Sequence, residues 1–206
     1  ALPVMVKLKQ EEGFQLDLYS LKKKITKKTK AILINSPMNP TGVVFSDDIM
    51  TELAELDIPV ISDEIYADLS FIDPPKSFLN FSPKTIAING FSKYYAMTGW
   101  RLGYLITPKE WISAADRLHQ NLMISATEFV QEAGISVLQK SNDYCNKMKL
   151  EFDRRRVYIL NLLRELDMDP GYTPSGAFYV LYKYKNYKKS SFDFCLEVLE
   201  KTGVAI

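Results

Sequence analysis

The sequence predicts an α/β fold: a mostly parallel sheet with flanking helices, followed by the start of a smaller α+β domain. Three observations carry this. Short unbroken apolar runs, "AILIN" (31–35), "IPVIS" (58–62) and "TIAIN" (85–89), each end in polar or turn residues, as buried parallel strands do. Between the first two lies one capped amphipathic helix, which completes a βαβ unit. From Pro108 to about Leu166 the apolar spacing becomes helical, and strand patterning returns only afterwards.

In chain order, the opening "LPVMVKL" (2–8) reads as an apolar, strand-like segment. "SLKKKITKKTK" (20–30) is a lysine run that reads as a solvated helix face and loop. After the first strand, "SDDIMTELAEL" (46–56) has Ser46 as N-cap, acids in its first turn and apolar residues at helical spacing. "LGYLI" (102–106) follows "TIAIN" after only twelve residues, too few for a comfortable crossover helix. Those two strands are therefore expected to run antiparallel. "WISAADRLHQNLM" (111–123), "EFVQEAGISVLQK" (128–140) and "NDYCNKMKLEFDRRRVYILNLLREL" (142–166) read as helices, with Arg154 to Arg156 on one solvated face. "AFYVLY" (177–182) reads as a strand and "SFDFCLEVLEK" (191–201) as a helix. Residues 1–145 are expected to form a partial large domain, and 146–206 an interdomain helix and a partial small domain.

Lys and Arg number 26 against 25 Asp and Glu, so no net field attracts nucleic acid or an anionic membrane. A small molecule or a second copy is the expected partner. Cys145 and Cys195 lack CxxC spacing, which points to two reduced, mostly buried thiols rather than a disulfide framework or zinc site. One histidine, His119, leaves no multi-histidine metal motif, and it reads as structural. The opening has no signal-peptide layout and no apolar run is long enough to span a bilayer, so a cytoplasmic protein is expected. With no initiator methionine and apolar segments at each extremity, the chain reads as cut at both ends.

Ligands of open α/β sheets bind where loops converge over the carboxyl edge. Three clusters fall there: "SPMNPTG" (36–42), "DEIY" (63–66) and "GFSK" (90–93). Each alone has an ordinary explanation as a turn, a strand exit or a solvated lysine. Together they would bring Asn39, Asp63, Tyr66 and Lys93 to a common pocket beside Arg101. A lysine in a partly apolar site beside a cation is available as a nucleophile toward an aldehyde. An aspartate at a buried strand end can keep a pyridine nitrogen protonated. Tyrosine and asparagine can hydrogen-bond a phenolate oxygen, and arginine can grip a phosphate. Those are the requirements of pyridoxal 5'-phosphate (PLP).

"GFSKYYAMTGWRLG" (90–103), "NSPMNPTG" (35–42), "SDEIYADLSF" (62–71) and "TPSGAFYVL" (173–181) resemble, in order and spacing, the blocks of the class I/II aminotransferases, PLP enzymes of fold type I. The resemblance covers essentially the whole chain. It implies amino-group transfer between an amino acid and a 2-oxo acid through a Schiff base on Lys93, which would also act as the base. Asp63 would pair with the pyridinium nitrogen, Tyr66 and Asn39 would bind the ring O3' oxygen, and Arg101 helped by Ser92 would hold the phosphate. Gly90 occupies the place of a phosphate-binding serine in many members. The same resemblance implies a cis Asn39–Pro40 peptide and a homodimer. It also implies members about twice as long, so the chain by itself is expected to be incomplete and to bind PLP weakly. A carbon-sulfur β-lyase on the same scaffold and a non-catalytic fragment remain alternatives at this point.

Overall fold

In the computed structural model, residues 2–72, 75–184 and 188–206 are described. Four strands, β1 (Ile32–Asn35), β2 (Val60–Asp63), β3 (Thr85–Gly90) and β4 (Gly103–Ile106), form one sheet in that spatial order. The first three run parallel, with Asn35 beside Asp63 and Asp63 beside Ile88. β4 runs antiparallel to β3 and sets Gly103 opposite Gly90, as the short connection requires. The carboxyl ends of β1, β2 and β3 therefore lie together.

Helices α1 (Leu18–Lys24) and α2 (Asp47–Ala54) lie in the half of the chain that holds the main core. Asp17 caps α1 by accepting the Ser20 N–H at 3.0 Å, and Lys22, Lys23 and Lys24 stand exposed in its last turn, beside the negative end of the helix dipole. Ser46 caps α2 by accepting the Ile49 N–H at 3.3 Å, with Asp47 and Asp48 at the positive end. Leu21, Met50 and Leu53 from these helices pack with Ile32, Ile34, Val60 and Phe78 in the main core. Successive strand side chains point to opposite faces, so that core covers only one side of the sheet. On the other, Leu33 is 71% exposed and Leu105 50%. The expectation that β1 is buried thus holds for one face.

The long α3 (Lys109–Leu122), α4 (Glu128–Lys140) and α5 (Asn142–Glu165) follow as predicted, and α6 (Ser191–Thr202) closes the chain with Ser190 as its cap. No α3 residue is buried, and every residue of β4 is exposed. Two predicted strands are not formed. Residues 2–9 are irregular: Val6 and Leu8 pack against the core, while the Met5 carbonyl accepts from Lys24 Nζ instead of joining a ladder. At 177–182 the run is broken by Ala177, which sits at φ 56° and donates its N–H to the Leu69 carbonyl at 3.0 Å.

The arginine triplet also divides. Arg154 and Arg155 pair with Glu151 in solvent, but Arg156 is half-buried, donates to the Pro174 carbonyl at 3.1 Å and lies 5.2 Å from the Phe71 ring. Both cysteines are free thiols; Cys145 is buried and Cys195 partly so. Among the described residues no helix is long and apolar enough to cross a membrane. His119 lies on α3, as its helical setting predicts, and is exposed.

Candidate active site

The carboxyl edge of the parallel strands is tied together by two strand-terminal side chains. Asn35 Nδ2 donates to the Asp63 carbonyl at 3.1 Å, and Asn35 Oδ1 accepts the Asn39 N–H at 2.7 Å. One amide therefore fastens the 36–42 turn to β2. Both X-Pro peptides in this turn, Ser36–Pro37 and Asn39–Pro40, are cis. Asp63 Oδ1 accepts the Ile65 N–H at 3.2 Å, which turns the chain out of β2 and delivers Tyr66 to the edge.

Tyr66 is 3% exposed, with its ring edge-on to Phe178 at 5.5 Å and to Tyr179 at 5.7 Å. Its hydroxyl lies 2.8 Å from the Tyr179 hydroxyl, which also accepts from Asn39 Nδ2 at 3.5 Å. Burial, reinforced by the bond to Tyr179, pushes the Tyr66 phenol well above its ordinary pKa, so it stays a neutral hydroxyl throughout the physiological range. Lys93 follows β3 on the same edge, and its Nζ lies 5.7 Å from the centroid of the Tyr66 ring, within cation–π reach.

The remaining predicted residues are placed differently. Arg101 is exposed at φ 55°, and its Nη1 donates back to the Thr98 carbonyl at 2.7 Å. It lines an open cavity of about 780 Å³ with Trp100, His119 and Thr127, and none of Asn39, Asp63, Tyr66 or Lys93 lines that cavity. The guanidinium is turned onto the Thr98 carbonyl of its own loop. Ser92 is half-buried and its carbonyl accepts from Thr98 Oγ1 at 2.8 Å, which braces that loop. At Gly90 an added Cβ would lie 3.0 Å from Gly103 Cα and 3.0 Å from the Leu102 carbonyl oxygen. A side chain there would press on the β3–β4 contact.

Two members escaped the sequence reading. Asn35 carried a visible signal, since it ends an apolar strand just as Asp63 does. Tyr179 carried a weaker one, the small Gly176–Ala177 pair ahead of two aromatics. Glu64, next to Asp63, is turned to structural use: its Oε1 accepts from Ser77 Oγ at 3.1 Å and from the Phe78 N–H at 2.9 Å.

The family model described as aminotransferase class I and II matches residues 2–206. A probable aspartate/prephenate aminotransferase of Aquifex aeolicus is 38% identical over all of this chain and 56% of its own length. The (5-formylfuran-3-yl)methyl phosphate transaminase of Methanocaldococcus jannaschii is 42% identical over 91% of this chain and 50% of its own. Among solved structures, the aromatic aminotransferase of Pyrococcus horikoshii superposes with a TM-score of 0.91 at 34% identity, over 98% of this chain and 57% of that one. The chain spans about half the length of the curated relatives it matches.

Proposed function

The chain belongs to the class I and II aminotransferase family, and from that premise we propose that it carries the cofactor platform of a PLP-dependent transaminase. The observation that carries the reading is the meeting of a neutral buried phenol, an amide and an amine, Tyr66, Asn39 and Lys93, beside the Asp63 carboxylate at one sheet edge. This donor set fits PLP. Tyr66 and Asn39 offer hydrogen bonds to a ring oxygen, Asp63 a negative charge to a protonated ring nitrogen, and Lys93 an amine to an aldehyde. Arg101, with Ser92, would take the phosphate, which requires its guanidinium to leave the Thr98 carbonyl. Residues 1–145 would make the platform, and 146–206 the interdomain helix and partial small domain.

When bound, PLP supplies an electron-withdrawing ring that makes the Cα proton of an amino acid acidic. Lys93 would hold the carbonyl end of the cofactor through its Nζ, and the same amine, when free, would take the Cα proton and return it. Asp63, anchored through the Ile65 N–H, keeps its carboxylate aimed from the end of β2. The Tyr66 hydroxyl, kept protonated by burial, would be able to donate as well as accept. Substrates would be an amino acid and a 2-oxo acid.

The test is titration of the protein with PLP, followed by borohydride reduction and peptide mapping. In the native protein containing this chain, trapping on Lys93, lost in Lys93→Ala, supports the reading; a folded native protein that shows no imine absorbance refutes it. Product analysis then separates transfer from β-elimination, because only elimination releases ammonia and a free thiol from a cysteine conjugate.

A further inference from the structure

We propose that Tyr179 is a positioning residue of this site, whose phenol orders the Tyr66 hydroxyl and the Asn39 amide, and that residues 174–179 form the strut holding it there. The inference rests on the cofactor reading above and adds to it a residue from beyond the long helix α5.

The strut is fastened on three sides. The Ser175 and Gly176 N–H groups both donate to the Gly42 carbonyl at 2.8 Å, which binds the strut to the turn carrying Asn39. The Ser175 carbonyl accepts the Phe71 N–H at 2.8 Å and Ala177 donates to Leu69 at 3.0 Å, which binds it to the segment after Tyr66. Arg156 of α5 holds the Pro174 carbonyl from behind. There is no slack: a Cβ on Gly176 would lie 2.7 Å from Pro37 Cβ, and one on Gly42 2.6 Å from the Gly176 oxygen. From this fixed base, the left-handed turn at Ala177 sends Phe178 and Tyr179 against the Tyr66 ring.

A phenol has a single O–H and rotates about its C–O bond. The Tyr179 oxygen accepts from Asn39 Nδ2 at 3.5 Å and lies 2.8 Å from the Tyr66 hydroxyl, where either phenol is placed to donate to the other. With that bond made, the Tyr66 hydroxyl has fewer directions left to it, and what it offers to the ring oxygen is set by the Asn39–Tyr179–Tyr66 chain. Without the Tyr179 hydroxyl, Tyr66 keeps its place but not its orientation.

Tyr179→Phe, which keeps the ring, tests this in the native protein containing this chain. The expected results are a roughly tenfold weaker PLP affinity, a displaced pH midpoint of the imine absorbance, and a Tyr66→Phe/Tyr179→Phe double variant no weaker than Tyr66→Phe. A variant with lowered thermal stability but wild-type affinity and pH midpoint would overturn the proposal. A cofactor-free readout separates this from failure of the functional reading. In ζ-¹³C-tyrosine-labelled apoprotein, with Tyr66 identified through Tyr66→Phe, the Tyr66 signal should shift and titrate differently in Tyr179→Phe. If the wild type binds no PLP the functional reading falls, and this signal alone then decides: a change supports the Tyr179 coupling, and an unmoved signal ends it.

Discussion

The two flanks of the sheet are built in opposite ways. Around β1 and β2, the 36–42 turn, the segment after Tyr66 and the 174–179 strut share backbone hydrogen bonds and close glycine contacts, and bury Tyr66, Leu69 and Ala177 between them. Across the sheet, in this chain of about half its relatives' length, β4 is exposed and α3 has no buried residue, and among the described residues Arg101 bonds to a carbonyl of its own loop. The lesson is about preorganisation. The groups proposed to fix a ring are held by parts of the chain far apart in sequence, whereas the arginine proposed for the phosphate stands on a loop braced from within, by Thr98 and Ser92. Orientation is supplied where three segments converge.

The largest expected effect breaks the tight flank directly. Gly42 has φ 69°, and a Cβ there would lie 2.6 Å from the Gly176 oxygen and 2.8 Å from Pro174 Cβ. Gly42→Ala should cost about 3 kcal/mol, the sum of left-handed strain and overpacking against backbone that cannot yield. Gly99→Ala, on the open flank, meets nothing within 4 Å and should stay within about 0.5 kcal/mol. Urea unfolding of both measures the contrast. Equal effects would mean the strut is not rigidly seated.

A smaller effect comes from Glu64. Its carboxylate is 8% exposed and satisfies the backbone N–H of Phe78, itself fully buried. Glu64→Ala should cost about 2 kcal/mol by stranding that N–H, and Glu64→Gln clearly less because an amide oxygen still accepts. A thermal or urea midpoint for the pair separates the hydrogen bond from the charge. If Gln and Ala are equally damaging, the charge is what matters.

These residues also show what a linear sequence can convey. The three parallel strands, the Ser46 cap and the reversed β4 were legible because each depends on neighbours within a few positions. Asn39, Asp63, Tyr66 and Lys93 could be proposed because each lies at or just beyond the end of a parallel strand. Tyr179 was not, since its partner Tyr66 lies 113 residues away and the run around it reads as a strand until Ala177 turns left-handed. Leu33, on the other face of β1, is exposed within this chain, which spans about half the length of its relatives, so its apolar character is not explained by contacts made here. In "RRR", Arg156 cannot be told from its neighbours until Pro174 and Phe71 fold against it. Nor does an arginine announce the left-handed backbone that Arg101 adopts, or the bond from its Nη1 to the Thr98 carbonyl.

pH gives the finest resolution of the two kinds of environment. Burial raises the Tyr66 phenol and pushes Tyr95 up to about 12, from an ordinary value of 10.0. A raised folded pKa means stability that is complete below the unfolded value and is lost as pH rises through the folded one. Stability should therefore fall from about pH 10 upward, and Tyr66→Phe should flatten that fall in urea midpoints taken at pH 8, 10 and 11. The acid side is governed by exposed groups. On α5, hydrogen bonds from Arg154 and then Arg155 lower Glu151 from 4.5 to about 2. A depressed carboxylate contributes above its unfolded value and loses that contribution as pH drops from 4.5 toward 2. Because Arg154 and Arg155 are each about two-thirds exposed, salt should screen the pairing almost completely. Glu151→Gln should then alter the acid limb only slightly at low salt and not at all at high salt, while the Tyr66 effect on the alkaline limb persists in both. An acid limb that depended on Glu151 at high salt would mean this helix face is less open to solvent than the strut side of α5, reversing the contrast.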